Sequence, residues 1–351
     1  MKFGIFLPNG TNGYILSKNA PRYEPTFEHN KAITLEAEKQ GLDFVLSMIK
    51  YRGFGGEIGY WDSCLESMTL SAGLLTASTD IRVIGTVGIL SQHPAVVARM
   101  AATLDEMSGG RFGLNIVTGW NKPEYAQMGI WPGDEHYGNR YQYAREYVEI
   151  LKDLWDDGQC DFKGEYFTLE DCRCYPTPNG GSVQLVCAGQ SENGLKFTAE
   201  YANRNFVGVP PNQLADIAAK TKSLASAANN DVGTYALLGM VIAETDEQAQ
   251  AQAKDIVAGA DMEAIANVVG SANLDTKGGG TVDVLKAGLD KPLEEGNMAF
   301  MGFPALVGGY DTLADRIRKI RDTTEVDGIL FTFPDFVDGI RQFGENVMPR
   351  L

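Results

Sequence analysis

Residues 81–120 read IRVIGTVGILSQHPAVVARMAATLDEMSGGRFGLNIVTGW. The first ten are an Ile/Val-rich run of strand length, and the next stretch spaces its apolar residues as a helix does. Pro94 suits the first helical turn and Gly109–Gly110 the stop. RFGLNIVTGW then returns to alternation, with Phe112, Leu114 and Ile116 on one face. A strand, a helix and a second strand form the crossover unit of a parallel sheet. The second strand also sets Asn115, Thr118 and Trp120 where more core is expected, and a buried carboxamide there needs a partner.

The same unit repeats outward from this stretch. KFGIFLP (2–8) precedes the helical TFEHNKAITLEAEKQG (26–41), and FVLSMI (44–49) precedes DSCLESMTLSAGLLTAST (62–79), with Asp62 as its N-cap and Glu66 near the capping-box position. After Trp120 the helix RYQYAREYVEILKDLWDD (140–157) is delayed by the loop 121–139, far longer than an ordinary strand-to-helix connection. QLVCAG with SENGLKFTAEYA, NRNFVGV with PNQLADIAAKTKSLASAA, and YALLGMVIAET with DEQAQAQAKDIVAG continue the alternation to residue 259. TLADRIRKIRDTT then leads into a last strand, DGILFTFP. Buried, non-alternating strands interleaved with helices predict a (β/α)8 TIM barrel, with a doubly wound open sheet as the alternative. One domain over 1–351 is expected, carrying insertions at about 121–139, 156–183 and 260–303. The second reads as a small hairpin. The third, with its GGG at 278–280, reads as a lid-forming excursion.

Composition narrows the function classes. The 351 residues carry a net charge of −16, which argues against a nucleic-acid backbone as partner. No apolar run approaches membrane-spanning length, and Pro8, Asn9 and Gly10 cut the first one too short for a secretory leader. Five cysteines without metal-finger spacing fit a reducing cytoplasm. Three histidines and no H-E-x-x-H argue against a metal-centred hydrolase, and no Ser-His-Asp set is evident. Chemistry borrowed from an organic cofactor is the better expectation.

In a barrel the strand C-termini and the loops after them build the active site. That rule gathers Asn9, Met48 to Lys50, Thr86, Asn115, Thr118, Trp120, Gln190 and Ser191. Ser191 at a helix N-terminus and Arg140 with Tyr141 offer donors to a phosphate, against the plainer reading of a cap and a surface charge. No G-x-G-x-x-G fingerprint supports Rossmann-type binding. Trp61, Trp120 and Trp131 are suited to stacking on a planar ring or to the core.

SMIKYRGFGG (47–56), RMAAT (99–103), SGGRFGLNIVTGWNKPEYAQMGIWPGD (108–134), FKGEYFTLEDCR (162–173) and CAGQS (187–191) closely resemble the pyrimidine (uracil) monooxygenases of the bacterial-luciferase-like, flavin-dependent monooxygenase family. The likeness returns in LVGGYDTLADRI (306–317) and ILFTFPDFVDGIRQFGE (329–345). The resemblance implies a luciferase-like barrel that takes reduced FMN (FMNH2) from a separate NADH:flavin reductase. With O2 as co-substrate, it opens uracil- or thymine-like rings to a ureidoacrylate-type product through a flavin peroxide. It implies FMN contacts at Ile49, Lys50, Asn115, Glu124, Arg140, Tyr141 and Ser191, an O2 site at Thr86 and Asn115, and a homodimer or homotetramer. Met48, Trp120 and His93 are the candidate substrate contacts. SQHPAVV (91–97) departs from the branch's Thr-Leu-Pro-Pro run, which makes His93 either a substrate contact or a helix-entry residue. Relatives acting on sulfones, haloaromatics or other amides, and a flavin-binding barrel without turnover, are the alternatives.

Overall fold

The computed structural model describes residues 1–275, 277, 285 and 288–351. The predicted GGG at 278–280 lies outside them. Eight parallel strands close into a barrel: β1 (Lys2–Leu7), β2 (Phe44–Ser47), β3 (Arg82–Gly88), β4 (Phe112–Val117), β7 (Gln184–Cys187), β8 (Arg204–Val207), β9 (Gly233–Ala243) and β11 (Gly328–Thr332). Closure comes from β8 pairing with β9 and β9 with β11, which returns to β1. A ninth strand, β10 (Ala305–Gly309), pairs with the second half of β9. β5 (Gln159–Lys163) and β6 (Thr168–Arg173) form the antiparallel hairpin expected within 156–183.

Helices α1 (Phe27–Lys39), α2 (Ser67–Ala77), α3 (Pro94–Ser108), α5 (His136–Asp156), α6 (Glu192–Tyr201), α7 (Leu214–Ala227), α8 (Asp246–Ala258) and α10 (Tyr310–Thr323) alternate with the strands. α4 (Lys122–Ala126) lies inside the long loop, α9 (Met262–Ala272) inside the 260–303 insertion, and α11 (Phe336–Gln342) follows the last strand. Among the described residues no helix is long and apolar enough to cross a membrane.

Local signals explain several helix ends. Pro94 opens α3 behind His93, whose imidazole accepts from the Ala95 N–H, and Gly109 at φ 62° closes it in the left-handed conformation that glycine adopts without strain. Two expectations need correction. Asp62 does not cap α2: its carboxylate accepts from the Gly55 N–H, and Glu66 caps the helix by accepting from the Met68 and Thr69 N–H groups. The long helix also begins at His136 rather than Arg140, because His136 and Tyr137 pack against Trp131 with ring centroids 5.3 and 5.1 Å apart.

The alternation read in RFGLNIVTGW has a clear structural meaning. Phe112, Leu114 and Ile116 face outward into the layer shared with the helices, where burial contributes about 1.5–3 kcal/mol for each such side chain. The barrel interior is a separate apolar cluster that includes Phe44, Leu46, Ile84, Phe206, Tyr235 and Leu330. Thr86 lies two residues beyond Ile84 on β3, and register sets it beside Asn115 of β4. Both therefore point inward, above the apolar filling.

Candidate active site at the barrel mouth

A cavity opens at the C-terminal ends of the strands. It is lined by Met48, Ile49, Lys50, Thr86, Asn115, Trp120, Glu124, Arg140, Tyr141 and Ser191 together with apolar residues. His93 does not line it: the ring is exposed, caps α3 and packs edge-on against Phe167 at 5.5 Å. The substrate contact expected of His93 is thus replaced by the helix-entry role, because the loop before α3 carries the ring outward. Trp131 also lies outside the lining, whereas Trp61 joins it with its indole N–H donating to the Gly13 carbonyl at 2.6 Å.

The turn after β2 is fixed by a residue from the turn after β1. Asn9 is fully buried and donates to the Met48 and Leu65 carbonyls while its Oδ1 accepts from the Met48 N–H. Two of these bonds hold Met48, and with it the turn through Ile49 and Lys50, at the mouth, and the third ties it to Leu65. The Lys50 ammonium lies 2.9 Å from Glu124 Oε2, with both side chains buried, and within 4.6 Å of the Phe54 ring centre and 5.4 Å of Trp120. Glu124 Oε1 accepts from the Tyr51 N–H at 2.7 Å. The charge pair is compensated, so the wall it forms offers a structured polar edge rather than a free cation.

On the opposite side, the N-terminus of α6 meets α5. Ser191 Oγ accepts from the Gly194 N–H at 3.1 Å, and Tyr141 Oη lies 3.5 Å from it. A Cβ on Gly189 would sit 2.5 Å from the Gly194 carbonyl, and one on Gly194 would sit 2.7 Å from Tyr141 Oη, so this approach requires glycine at both places. Arg140, on the same helix as Tyr141, pairs with Asp275 at 2.6 Å with both side chains buried. Helix N–H groups, a hydroxyl and a phenol meet here as a phosphate would require, beside a guanidinium whose charge Asp275 compensates.

Between these two walls stand Thr86 and Asn115. Asn115 Nδ2 donates to Thr86 Oγ1 at 3.0 Å, and Thr86 Oγ1 donates to the Ser47 carbonyl at 2.5 Å. Asn115 Oδ1 is buried and has no hydrogen-bond partner among the described residues. A buried acceptor without a partner, on a residue that lines the cavity, is costly. The residues present therefore fit a planar heteroaromatic cofactor with a phosphate tail.

Sequence reasoning missed the apolar walls. Tyr14 is buried, stacks on Phe6 at 4.3 Å and donates to the Leu7 carbonyl, and Met301 and Phe303 arrive from the far end of the 260–303 insertion. They lie in loops without hydrophobic periodicity, so no local signal marks them.

A closed parallel barrel whose mouth combines an apolar slot, a buried carboxamide–hydroxyl pair and a phosphate-type helix end defines a TIM-barrel cofactor enzyme. Residues 1–325 match the family model of the luciferase-like monooxygenases, and the chain belongs to that family. It is accordingly a flavin-dependent monooxygenase, using reduced flavin and O2 on a small molecule. The chain is 47% identical to the pyrimidine monooxygenase RutA of Cronobacter turicensis, over 99% of this chain and 92% of that protein. It is 46% identical to the RutA of Acinetobacter baylyi, over 99% and 94%. Among solved structures it is similar to a riboflavin lyase bound to modified FMN and riboflavin, with a TM-score of 0.81 at 21% identity, covering 99% of this chain and 90% of that one.

Proposed function

We propose that this chain is an FMNH2- and O2-dependent monooxygenase that opens pyrimidine rings such as uracil and thymine to a ureidoacrylate-type product. The reading rests above all on the inward-facing Thr86–Asn115 pair, set between the α6 N-terminus and the Lys50–Glu124 wall. Similarity to pyrimidine monooxygenases along nearly the whole chain supports the substrate class.

Reduced FMN, delivered by a separate NADH:flavin reductase, supplies the two electrons that activate O2. Arg140, Tyr141 and Ser191 with the α6 N-terminus hold its phosphate. Ile49, Lys50 and Glu124 pack along its ring system, and Thr86 and Asn115 hold O2 at the ring edge. Met48 and Trp120 meet the pyrimidine. The apolar walls exclude water, which strengthens each of these polar contacts. No side chain forms a covalent bond; catalysis is positioning and charge stabilisation.

The test is turnover of uracil and thymine with FMN, a reductase, NADH and 18O2, read by mass spectrometry. Label in a ring-opened product that needs all four components is expected, and Asn115→Ala or Thr86→Ala should cut it by about 10²-fold. Turnover of a sulfone, a haloaromatic or another amide with no pyrimidine consumed overturns the substrate. FMN binding without any coupled product overturns the enzyme reading itself.

A further inference from the structure

Helix α9 is attached to both walls of the mouth, and its two attachments differ in kind. At its start Asp261 caps the helix through Oδ1, which accepts from the Glu263 and Ala264 N–H groups, while Oδ2 accepts from the Ile58 N–H at 3.0 Å. Asn267 donates to the Phe54 carbonyl at 2.8 Å, and Phe54 is the ring beside the Lys50 ammonium. These bonds fasten α9 to main-chain groups of the loop after β2. Its 11 residues then carry the chain about 16 Å. Three residues beyond them, Asp275 meets Arg140 of α5 at 2.6 Å, with 0% and 8% of the two side chains exposed. Arg140 also lines the cavity, next to Tyr141 and Ser191. The far end of α9 is therefore held by a charge that sits at the site itself.

We infer that Asp275 and the cofactor's phosphate compete for Arg140, so that filling the phosphate site unlatches the C-terminal end of α9 and keeps the cofactor exchangeable. The inference rests on the FMN reading above. A phosphate monoester carries about −1.5 to −2 charges at neutral pH. Placed with Asp275 on one guanidinium, it leaves about two negative charges uncompensated where little water reaches. With Asp275 released, water solvates the carboxylate, and the phosphate keeps the guanidinium and the α6 N-terminus to itself. The like charge of Asp275 thus lowers affinity for the phosphate. The hydrogen bonds of Asp261 and Asn267 involve no charge at the site, so the start of α9 stays in place while its end is freed. A flavin that arrives reduced from another protein must also leave, and a site that has to break an ion pair to bind it holds it less firmly.

The experiment measures dissociation constants for oxidised FMN and for riboflavin, which lacks the phosphate, together with amide hydrogen exchange over residues 262–275 with and without each ligand. The proteins are the wild type, Asp275→Asn, Asp275→Glu and Arg140→Gln, each checked by thermal melting. Asp275→Asn should bind FMN about tenfold more tightly than wild type, with riboflavin unchanged, although its melting temperature falls with the lost ion pair. A merely structural role would lower both. Asp275→Glu should keep the wild-type affinities. In the wild type FMN should speed exchange at the end of α9 and riboflavin should not, a measurement that stands even if Asp275→Asn folds poorly. FMN affinity that is unchanged or weaker in Asp275→Asn overturns the proposal, as does wild-type exchange that FMN slows or leaves unaltered. Arg140→Gln should bring FMN affinity down to that for riboflavin. FMN affinity left intact by Arg140→Gln overturns the phosphate reading instead, which keeps the two failures distinct.

Discussion

In sequence Lys50 is a cation beside the glycines at 53, 55 and 56, a setting that usually means a solvated loop. The fold buries it. Its ammonium pairs with Glu124 at 2.9 Å among aromatic rings, with 5% and 6% of the two side chains exposed. Removing one member of such a pair strands the other charge in a poorly solvated place. Lys50→Met should therefore lower the free energy of unfolding by about 3–5 kcal/mol. The double variant Lys50→Met, Glu124→Gln should lose less, because no uncompensated charge remains. Urea denaturation of the two proteins checks this, and equal losses would contradict it. At the same scale, Asn115 was legible as an anomaly, a polar residue inside a strand. What it faces was not, since its partner Thr86 lies 29 residues away.

At the scale of elements, the start of α5 shows how tertiary packing overrides a local reading. His136, Tyr137, Gly138 and Asn139 look like loop, yet they form the first turn of the helix. His136 is buried there, and its Nε2 lies 2.7 Å from the Thr118 carbonyl, so that nitrogen carries the proton and donates. Burial lowers its pKa below the ordinary 6.5, and the nearby Arg140 pushes the same way. A helix N-terminus also disfavours a cation. With the folded value below the unfolded one, the unfolded chain binds more protons as pH falls through 6.5, so stability is lost on acidification. Thermal or urea unfolding across pH 7.5 to 5 should show that decline, and His136→Gln should flatten it, leaving the slope due to His29, whose pKa burial also lowers. An equally steep decline in the variant would remove His136 as its source. β10 is a further missed element, beside the helices α4 and α9 within the insertions. Its five residues, ALVGG, carry too little pattern to identify, and pairing with the second half of β9 makes them a strand.

The whole molecule divides its two ends between chemistry and stability, as parallel barrels do. Opposite the site, at the N-terminal end of β4, Arg111 gathers main-chain carbonyls: it donates to Leu75 and Ser78 at the end of α2, to Ser108 at the end of α3 and to Ile81 just before β3. Arg111→Ala should lower stability by about 2–4 kcal/mol, because several partly buried acceptors lose a charged donor together. Its dissociation constant for FMN, measured well below the melting temperature, should stay at the wild-type value. A weakened FMN affinity with unchanged stability would reverse that assignment.

The sequence by itself determined the order of most strands and helices, the hairpin, most helix stops and the placement of Asn115 on the strand face away from Phe112, Leu114 and Ile116. Periodicity, glycine and proline act within a few residues, and alternation along a strand fixes which side chains share a face. Only the tertiary structure decided the partners. Lys50 meets Glu124 across 74 positions and Arg140 meets Asp275 across 135. His93 is carried outward by the loop before α3, where it caps that helix. Closing the barrel brings strand ends far apart in the chain to one mouth, and no local pattern encodes which side chains then lie within hydrogen-bond reach.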